Sequence, residues 1–352
     1  MASGDLYEGW AEARLIPVAG IRGQEEQETR ATSAFLAVLK AVPAFAIALL
    51  SELGAPRGSI QTFSEVRLKD TSGRASRPDG AIIVSRGSRT WRALIEVKTG
   101  TAPLTAEQTN RYLDLAREHE FDCVITISNQ ITAQRTDSPV DYDKRKTRRV
   151  SIFHISWWRI LTTAVMEYEH RGIADPDQAW ILAELIAYLS HEKSGASGFQ
   201  HMGASWVPVR DAARQGTLRA NDKGAREVVE QWEQFVDFVA LGLSQQLGHR
   251  VEPLRPRKQS LAERLDKNVQ TLATRGVLTG TLRVPCRRQR VCDCGPPYPA
   301  GDYRHRARST ARRLASTDAH QVDSPTTRRR ATRQSRKRLV RECPRDKQRA
   351  PR

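Results

Sequence analysis

The stretch from residue 77 to residue 100 constrains the fold of this chain more than any other, because it encodes a β-hairpin with acidic residues at its open end. Two runs of β-branched and aliphatic residues flank Gly87-Ser88, where glycine supplies the positive φ of a tight two-residue turn. In a hairpin centred on that turn, Asp79 and Glu96 lie opposite each other. Two acids far apart in the sequence are therefore predicted to meet.

The second strand of this hairpin, residues 91–98, alternates between two kinds of side chain. Because successive side chains of a strand point to opposite faces, Glu96 and Lys98 share one face, whereas Ile95 and Val97 share the other. Two carboxylates at close range repel each other unless a cation lies between them, and hard oxygen ligands suit Mg²⁺ or Mn²⁺. An adjacent ammonium can orient an attacking water and offset the charge of a phosphate. The hairpin therefore predicts a metal site, against the alternative of an exposed hairpin with scattered charges.

The sequence Pro78-Asp79 followed by Glu96-Val97-Lys98 resembles the signature of the PD-(D/E)XK nuclease superfamily, which has the restriction-endonuclease-like fold. The resemblance implies a metal-dependent nuclease that hydrolyses phosphodiester bonds in DNA. It implies that Asp79, Glu96 and the Val97 carbonyl hold Mg²⁺ (or Mn²⁺), and that Lys98 positions the attacking water. The alternative is a non-catalytic nucleic-acid-binding or regulatory protein that retains the fold, because fold alone does not determine function.

A second motif lies on the helix predicted to follow the Lys98 strand. The segment from Gln108 to Tyr112 resembles the Gln-x-x-x-Tyr motif of RecB-like members of the superfamily, which carry it on this helix. Both side chains share one helix face, and the resemblance implies that they support the site or contact the nucleic-acid backbone. Thr105-x-x-Gln108 also fits a capping box, so helix capping is a rival role for Gln108.

A helix is predicted from residue 24 to residue 50, with a kink or break at Pro43. Glu28 lies on the inward, apolar face of this helix. In the resembled superfamily the first core helix often contributes an acid to the metal site, and Glu28 is the candidate, with Glu25 and Glu26 as competitors. The alternative is that these acids only stabilise the helix N-terminus electrostatically.

The order of predicted elements indicates an α/β domain with a mixed central sheet flanked by helices, as in the restriction-endonuclease-like fold. After the first helix come strands at 60–68, 81–85 and 91–98, a helix at 105–119, strands at 121–128 and 150–155, and a helix from Trp157. His154, a lone histidine at a strand end, is predicted to be structural rather than catalytic. The charged loop 141–149 suits either phosphate binding or simple solvation.

The chain is divided into four predicted regions. They are an irregular N-terminus at 1–23, the nuclease-like domain at 24–170, a mainly helical accessory region at 171–285, and a low-order, Arg-rich tail at 286–352. The tail carries most of the net charge of +17. It is either a disordered basic arm that binds nucleic acid nonspecifically or the out-of-frame translation of a gene frameshifted near Cys286, and the second interpretation is favoured.

The sequence contains no recognisable targeting signal, and its cysteines suit a reducing compartment. We therefore expect a cytoplasmic protein with no membrane partner. No N-terminal segment combines a basic start, an apolar stretch and a cleavage site. The longest apolar runs are too short to span a bilayer. Four of the five cysteines lie in the tail without the Cys-x-x-Cys pairs of ordinary zinc sites, and the fifth is Cys123. The predicted partner is nucleic acid, namely DNA.

Overall fold

The computed structural model describes residues 11–12, 23–132, 138–196, 198–256 and 259–285. Almost all of the predicted irregular N-terminus and the whole of the Arg-rich tail lie outside the described residues. Both interpretations of the tail therefore stay predictions.

The described residues form an α/β structure whose elements follow in this order: β1 (Ala11–Glu12), α1 (Gln24–Ala41), α2 (Pro43–Leu50), β2 (Ser59–Ser64), β3 (Leu68–Lys69), β4 (Ala75–Ser76), β5 (Gly80–Arg86), β6 (Arg89–Val97), α3 (Ala106–Glu118), β7 (Cys123–Ser128), β8 (Ser151–Ser156), α4 (Trp157–Val165), α5 (Pro176–Ser190), α6 (Trp206–Gln215), α7 (Lys223–Leu247), β9 (Glu252–Pro253), α8 (Leu261–Arg275) and β10 (Leu282–Arg283). The order from α1 to α4 agrees with the order predicted from the sequence.

A mixed central sheet organises the molecule. Its strands lie in the order β2-β5-β6-β7-β8, with the two-residue β1 paired at the β2 edge. Strands β2, β5 and β6 are antiparallel neighbours, whereas β6, β7 and β8 run parallel. Helices α1, α2, α4 and α5 share an apolar core with one face of the sheet, and α3 packs on the other face. The predicted mixed sheet flanked by helices is confirmed.

The hairpin β5–β6 has the predicted register. Arg86 pairs with Arg89 across the turn, and Gly80 pairs with Ile95 near the open end. Gly87 has a φ of 57°, the left-handed conformation that this tight turn requires of its glycine. Side chains of β6 alternate as predicted, since Ile95 enters the core shared with α1 and Leu94 enters the core shared with α3.

The first helix is interrupted at Pro43, as predicted. Helix α1 ends at Ala41 and α2 begins at Pro43, with a bend of 108° between them. Proline lacks a backbone N–H and therefore cannot continue the hydrogen-bond ladder of α1. In the described residues no single helix is long and apolar enough to cross a membrane; this bent pair passes that test only when both helices are counted together.

The predicted strand at 60–68 is wrong in its second half. Strand β2 ends at Ser64, and Glu65 has a φ of 54°, which a strand does not accommodate. Val66 then donates its backbone N–H to the Pro78 carbonyl at 3.1 Å, beside the start of β5. Residues Leu68–Lys69 pair with β4 in a separate two-stranded hairpin.

The second half of the described chain is mainly helical. Helix α5 places Leu182, Leu185 and Leu189 in the core shared with α1 and α4. Helices α6, α7 and α8 form an apolar cluster of their own. The segment from Val277 to Pro285, whose sequence resembles a strand, contains β10, which pairs antiparallel with β9.

Candidate functional site

The open end of the β5–β6 hairpin brings the two predicted acids together. Asp79 directly precedes β5, and its Oδ2 accepts a hydrogen bond from the Val97 backbone N–H at 2.7 Å. This bond fixes Asp79 beside the end of β6, where Glu96 is 2 % exposed. The register that pairs Gly80 with Ile95 places Asp79 beside Glu96, and each carboxyl group affects the pKa of the other. The two acids therefore meet, as the hairpin register predicts.

Burial and mutual repulsion change the protonation of this pair. Burial raises the pKa of Glu96 to about 8, and the Asp79 carboxylate adds to that rise while Lys98 opposes it. Burial also raises the pKa of Asp79, although the Val97 N–H and Lys98 favour its charged form. In addition, Glu96 Oε2 is buried and receives no hydrogen bond from the described residues. Without a cation, the pair therefore tends to retain a proton at neutral pH.

Lys98 extends into this acidic cluster as a fixed positive charge. Its Nζ lies 2.8 Å from Glu96 Oε1 and 3.3 Å from Glu28 Oε2. Burial opposes the charge of Lys98, but the surrounding carboxylates outweigh burial and raise the pKa of Lys98. Lys98 therefore remains an ammonium at neutral pH and cannot act as a general base there.

The backbone of Lys98 is held from two sides. Its N–H donates to the Ile127 carbonyl on β7 at 2.8 Å, and its carbonyl accepts from Trp157 Nε1 at 2.9 Å. The sequence predicted Trp157 only as the start of a helix and gave it no contact with Lys98. A sequence signal for this contact exists, because Trp157 directly follows β8, and β8 runs parallel to β6 and ends at the same sheet edge.

Of the three candidate acids on α1, Glu28 is the one that contacts Lys98. Its Oε1 also accepts the Thr99 backbone N–H at 3.5 Å. Glu26 pairs instead with Arg30 at 2.5 Å. Glu25 lines the groove beside Asp79. Glu28 therefore contacts the cluster through the lysine, and its predicted place in a metal site stays a prediction.

The predicted second motif reaches the same cluster from α3. Gln108 Nε2 donates to Glu96 Oε1 at 2.5 Å and lies 3.4 Å from Tyr112 Oη, which in turn donates to the Arg77 carbonyl at 3.4 Å. Burial raises the pKa of Tyr112 to about 12, so its hydroxyl stays protonated. Thr105 caps α3 by accepting the backbone N–H of Gln108 at 3.2 Å. The backbone N–H of Gln108 therefore takes part in the helix cap, whereas its side chain contacts Glu96.

The ligands available here fit Mg²⁺ or Mn²⁺. The oxygens of Asp79 and Glu96 are hard donors, and the unpartnered Glu96 Oε2 has a vacant lone pair. Among the described residues no group of three or more His, Cys, Asp or Glu side chains could hold a metal ion. A metal would therefore be held by two carboxylates, with the Val97 carbonyl and water as further oxygens. Mg²⁺ is commonly bound by one or two carboxylates and keeps several waters.

Access to the cluster is through a groove of about 250 Å³ between α1 and the start of β5. Asp79 and Glu28 lie on its walls, and Arg77 lies at its rim, where it pairs with Glu65. A molecule in this groove can therefore reach Asp79 from solvent.

Two other predicted features lie away from the cluster. His154 is buried, and its ring nitrogens contact Thr126 Oγ1 at 2.9 Å and the Gln130 carbonyl at 2.8 Å. Burial lowers the pKa of His154 to about 4, so the ring is neutral, which agrees with a structural role. The charged loop contains a short helical turn, Lys144–Arg148, whose Lys146 forms an ion pair with Asp114 on α3.

In comparisons with known proteins, no family model and no curated sequence matches this chain. The functional assignment therefore depends on the chemistry of the site.

Proposed function

We propose that this chain is a Mg²⁺- or Mn²⁺-dependent nuclease of the PD-(D/E)XK type that hydrolyses phosphodiester bonds in DNA. The observation that carries the proposal is the convergence of Asp79, Glu96 and Lys98 at the open end of one hairpin. The buried Glu96 lies beside the half-buried Asp79 and has an unsatisfied oxygen, and one ammonium lies 2.8 Å from Glu96. A purely structural ion pair with this lysine would need only one acid, whereas two lie beside each other here.

The order of elements around the cluster supports the same assignment. Strands β2 and β6 end at the site and β5 begins there, α3 follows β6, and the parallel strands β7 and β8 complete the sheet. This is the arrangement expected of a restriction-endonuclease-like fold.

Each residue of the cluster has a role that follows from its contacts. A bound Mg²⁺ supplies a more acidic water and polarises a phosphoryl oxygen. Asp79, Glu96 and the Val97 carbonyl would hold the ion. Lys98 keeps its proton, so it would orient the attacking water and offset phosphate charge rather than accept a proton.

The remaining residues support these groups. Glu28 forms a second ion pair with Lys98 in addition to Glu96, and two carboxylate partners restrict where the ammonium can lie. Gln108 donates to Glu96 Oε1, so the unpartnered Oε2 is the oxygen that would hold the ion. Tyr112 supports Gln108.

Cleavage of circular and linear DNA by the full chain tests the proposal. We expect cleavage in Mg²⁺ or Mn²⁺ and none in EDTA, because two unneutralised carboxylates repel a phosphate. Loss of the supercoiled form would show an endonuclease, whereas shortening of the linear DNA alone would show an exonuclease. DNA binding without cleavage in either metal would contradict the proposal and support the non-catalytic alternative.

Gln108→Ala and Thr105→Val separate site support from helix capping. Gln108→Ala is expected to lower the cleavage rate by roughly 10–100-fold, because it removes the donor that orients Glu96. Thr105→Val removes the hydroxyl that caps α3, so it is expected to lower the free energy of unfolding by about 1 kcal/mol. Cleavage per folded molecule should be unchanged in Thr105→Val. Equal cleavage by Gln108→Ala and the wild type would show that this side chain does not support the site.

A further inference from the structure

The short segment 98–100, which directly follows β6, has a hydrogen-bond partner for every one of its backbone N–H and C=O groups. We call it the lysine segment, because it begins at Lys98. Its partners come from several parts of the fold: the Ile127 carbonyl, Trp157 Nε1, Glu28 Oε1, the Ala102 N–H, the Gly195 carbonyl and Asn129 Nδ2. Complete pairing of this kind holds a backbone in one conformation although it lies outside a helix or strand. The place of the Lys98 side chain therefore depends on these partners.

Asn129, directly after β7, joins the lysine segment to the chain that follows α5. Its Nδ2 lies 2.9 Å from the Gly100 carbonyl oxygen and 2.9 Å from the Gly195 carbonyl oxygen. Both of these oxygens are acceptors, so the amide group of Asn129 donates one hydrogen to each. The Gly100 N–H also donates to the Gly195 carbonyl, at 2.8 Å. We call these three hydrogen bonds the Asn129 clamp.

The Asn129 clamp is also tied to α1. Gln27 Nε2 donates to the Lys193 carbonyl at 2.7 Å, and Gln27 Oε1 accepts from Thr99 Oγ1 at 3.3 Å. Gly195 has a φ of 71°, and a Cβ atom at this position would lie 2.4 Å from the amide group of Gln27. Glycine therefore allows the chain after α5 to approach α1 and the lysine segment at the same time.

We propose that Asn129 is a positioning residue for Lys98, and that the clamp makes the candidate site depend on the accessory region at 171–285, which contains Gly195. Lys98 carries its ammonium on a flexible four-carbon stem, so a fixed backbone is needed to aim it at an attacking water. Trp157 and β7 hold the backbone of Lys98 itself, and Asn129 holds the backbone two residues further on. The inference rests on the proposed nuclease function, in which Lys98 orients the water.

Asn129→Asp tests the inference in DNA cleavage, because aspartate keeps the size of asparagine but its carboxylate repels both carbonyls. We expect kcat with Mg²⁺ to fall about tenfold and KM for DNA to stay unchanged, since the change moves Lys98 and not a group that binds the substrate. Gly195→Ala strains the positive φ and displaces the same carbonyl from the other side, so it should have the same effect. The control Gln130→Ala changes an exposed neighbour of Asn129 and should cleave like the wild type.

Acetylation of lysines in EDTA, followed residue by residue by mass spectrometry, reports on Lys98 without any cleavage. The Lys98 side chain is 16 % exposed and forms ion pairs with two carboxylates, so it should react slowly in the wild type. We expect it to react several-fold faster in both clamp variants, whereas the exposed Lys223 on α7 should react at the same rate in all proteins. Ser260→Ala removes the cap of α8, so it lowers stability away from the clamp and should leave the acetylation of Lys98 unchanged.

Faster acetylation of Lys98 together with a lower kcat would support the inference. Wild-type acetylation of Lys98 or wild-type kcat in Asn129→Asp would overturn it, even if that variant is less stable, because the clamp would then have only a structural role. Wild-type behaviour of Gly195→Ala alone would overturn the dependence on the accessory region. If the wild type cuts no DNA but acetylation of Lys98 still rises in both variants, the nuclease function fails and the positioning of Lys98 by Asn129 stands.

Discussion

Asp79→Ala, Glu96→Ala and Lys98→Ala are each expected to lower the rate of Mg²⁺-dependent DNA cleavage by roughly 10²–10⁴-fold, the range typical of groups that act on a proton or charge in the transition state. Replacing either acid by alanine removes a carboxylate from the predicted metal site. The lysine change removes the ammonium that lies 2.8 Å from Glu96. Rates are measured per folded molecule, with metal concentration varied so that weaker metal binding is separated from slower chemistry.

The matched control is Glu107→Gln. Glu107 is an exposed acid in the first turn of α3, one residue before Gln108, and its removal changes the local charge without affecting the cluster. We expect its cleavage rate to equal that of the wild type. Near wild-type cleavage by any of the three alanine variants would contradict the role of that residue. A similar loss in Glu107→Gln would show that net charge, and not the cluster, controls the rate.

The part of this site that depends on local pairing could be predicted from the sequence. A two-residue turn leaves one register for an antiparallel hairpin, so Gly87-Ser88 alone is enough to place Asp79 opposite Glu96. Helical spacing likewise places Gln108 and Tyr112 on one face. These predictions needed no knowledge of how the helices pack on the sheet.

Contacts between elements distant in the sequence could not be predicted in this way. The choice of Glu28 over its neighbours depends on the rotation of α1 over the sheet, which packing of its apolar face determines. The core that α1 shares with α5 joins two helices far apart in the sequence, and nothing in the sequence of α1 indicates that partner. Local strain was also missed, because the positive φ of Glu65 depends on the route of the chain from β2 to β3.

Glu96→Gln is expected to stabilise the metal-free protein at pH 8 and to have little effect at pH 5. The pKa of Glu96 is about 8 in the folded protein and 4.5 as its ordinary value. At pH values between these two pKa values, Glu96 holds a proton in the folded state but has released it in the unfolded state. The free energy of unfolding of the wild type therefore falls, relative to the variant, by up to about 1.4 kcal/mol per pH unit as pH rises through this window. Glutamine does not titrate in this range. At pH 8 the free energy of unfolding of Glu96→Gln should therefore exceed that of the wild type by on the order of 3 kcal/mol, and we call this difference the stability gap.

Urea unfolding in EDTA at pH 5, 6.5 and 8 measures this stability gap. In the control Glu107→Gln, the difference in free energy of unfolding from the wild type should not depend on pH. Saturating Mg²⁺ should then stabilise the wild type at pH 8, because the ion binds the two carboxylates of the folded state and replaces the shared proton. The same Mg²⁺ should stabilise Glu96→Gln much less. A gap independent of pH would contradict the raised pKa of Glu96, and a pH-dependent gap that Mg²⁺ leaves unchanged would contradict the metal site. Neither outcome depends on a substrate, so the proposed metal site can be tested without any nucleic acid.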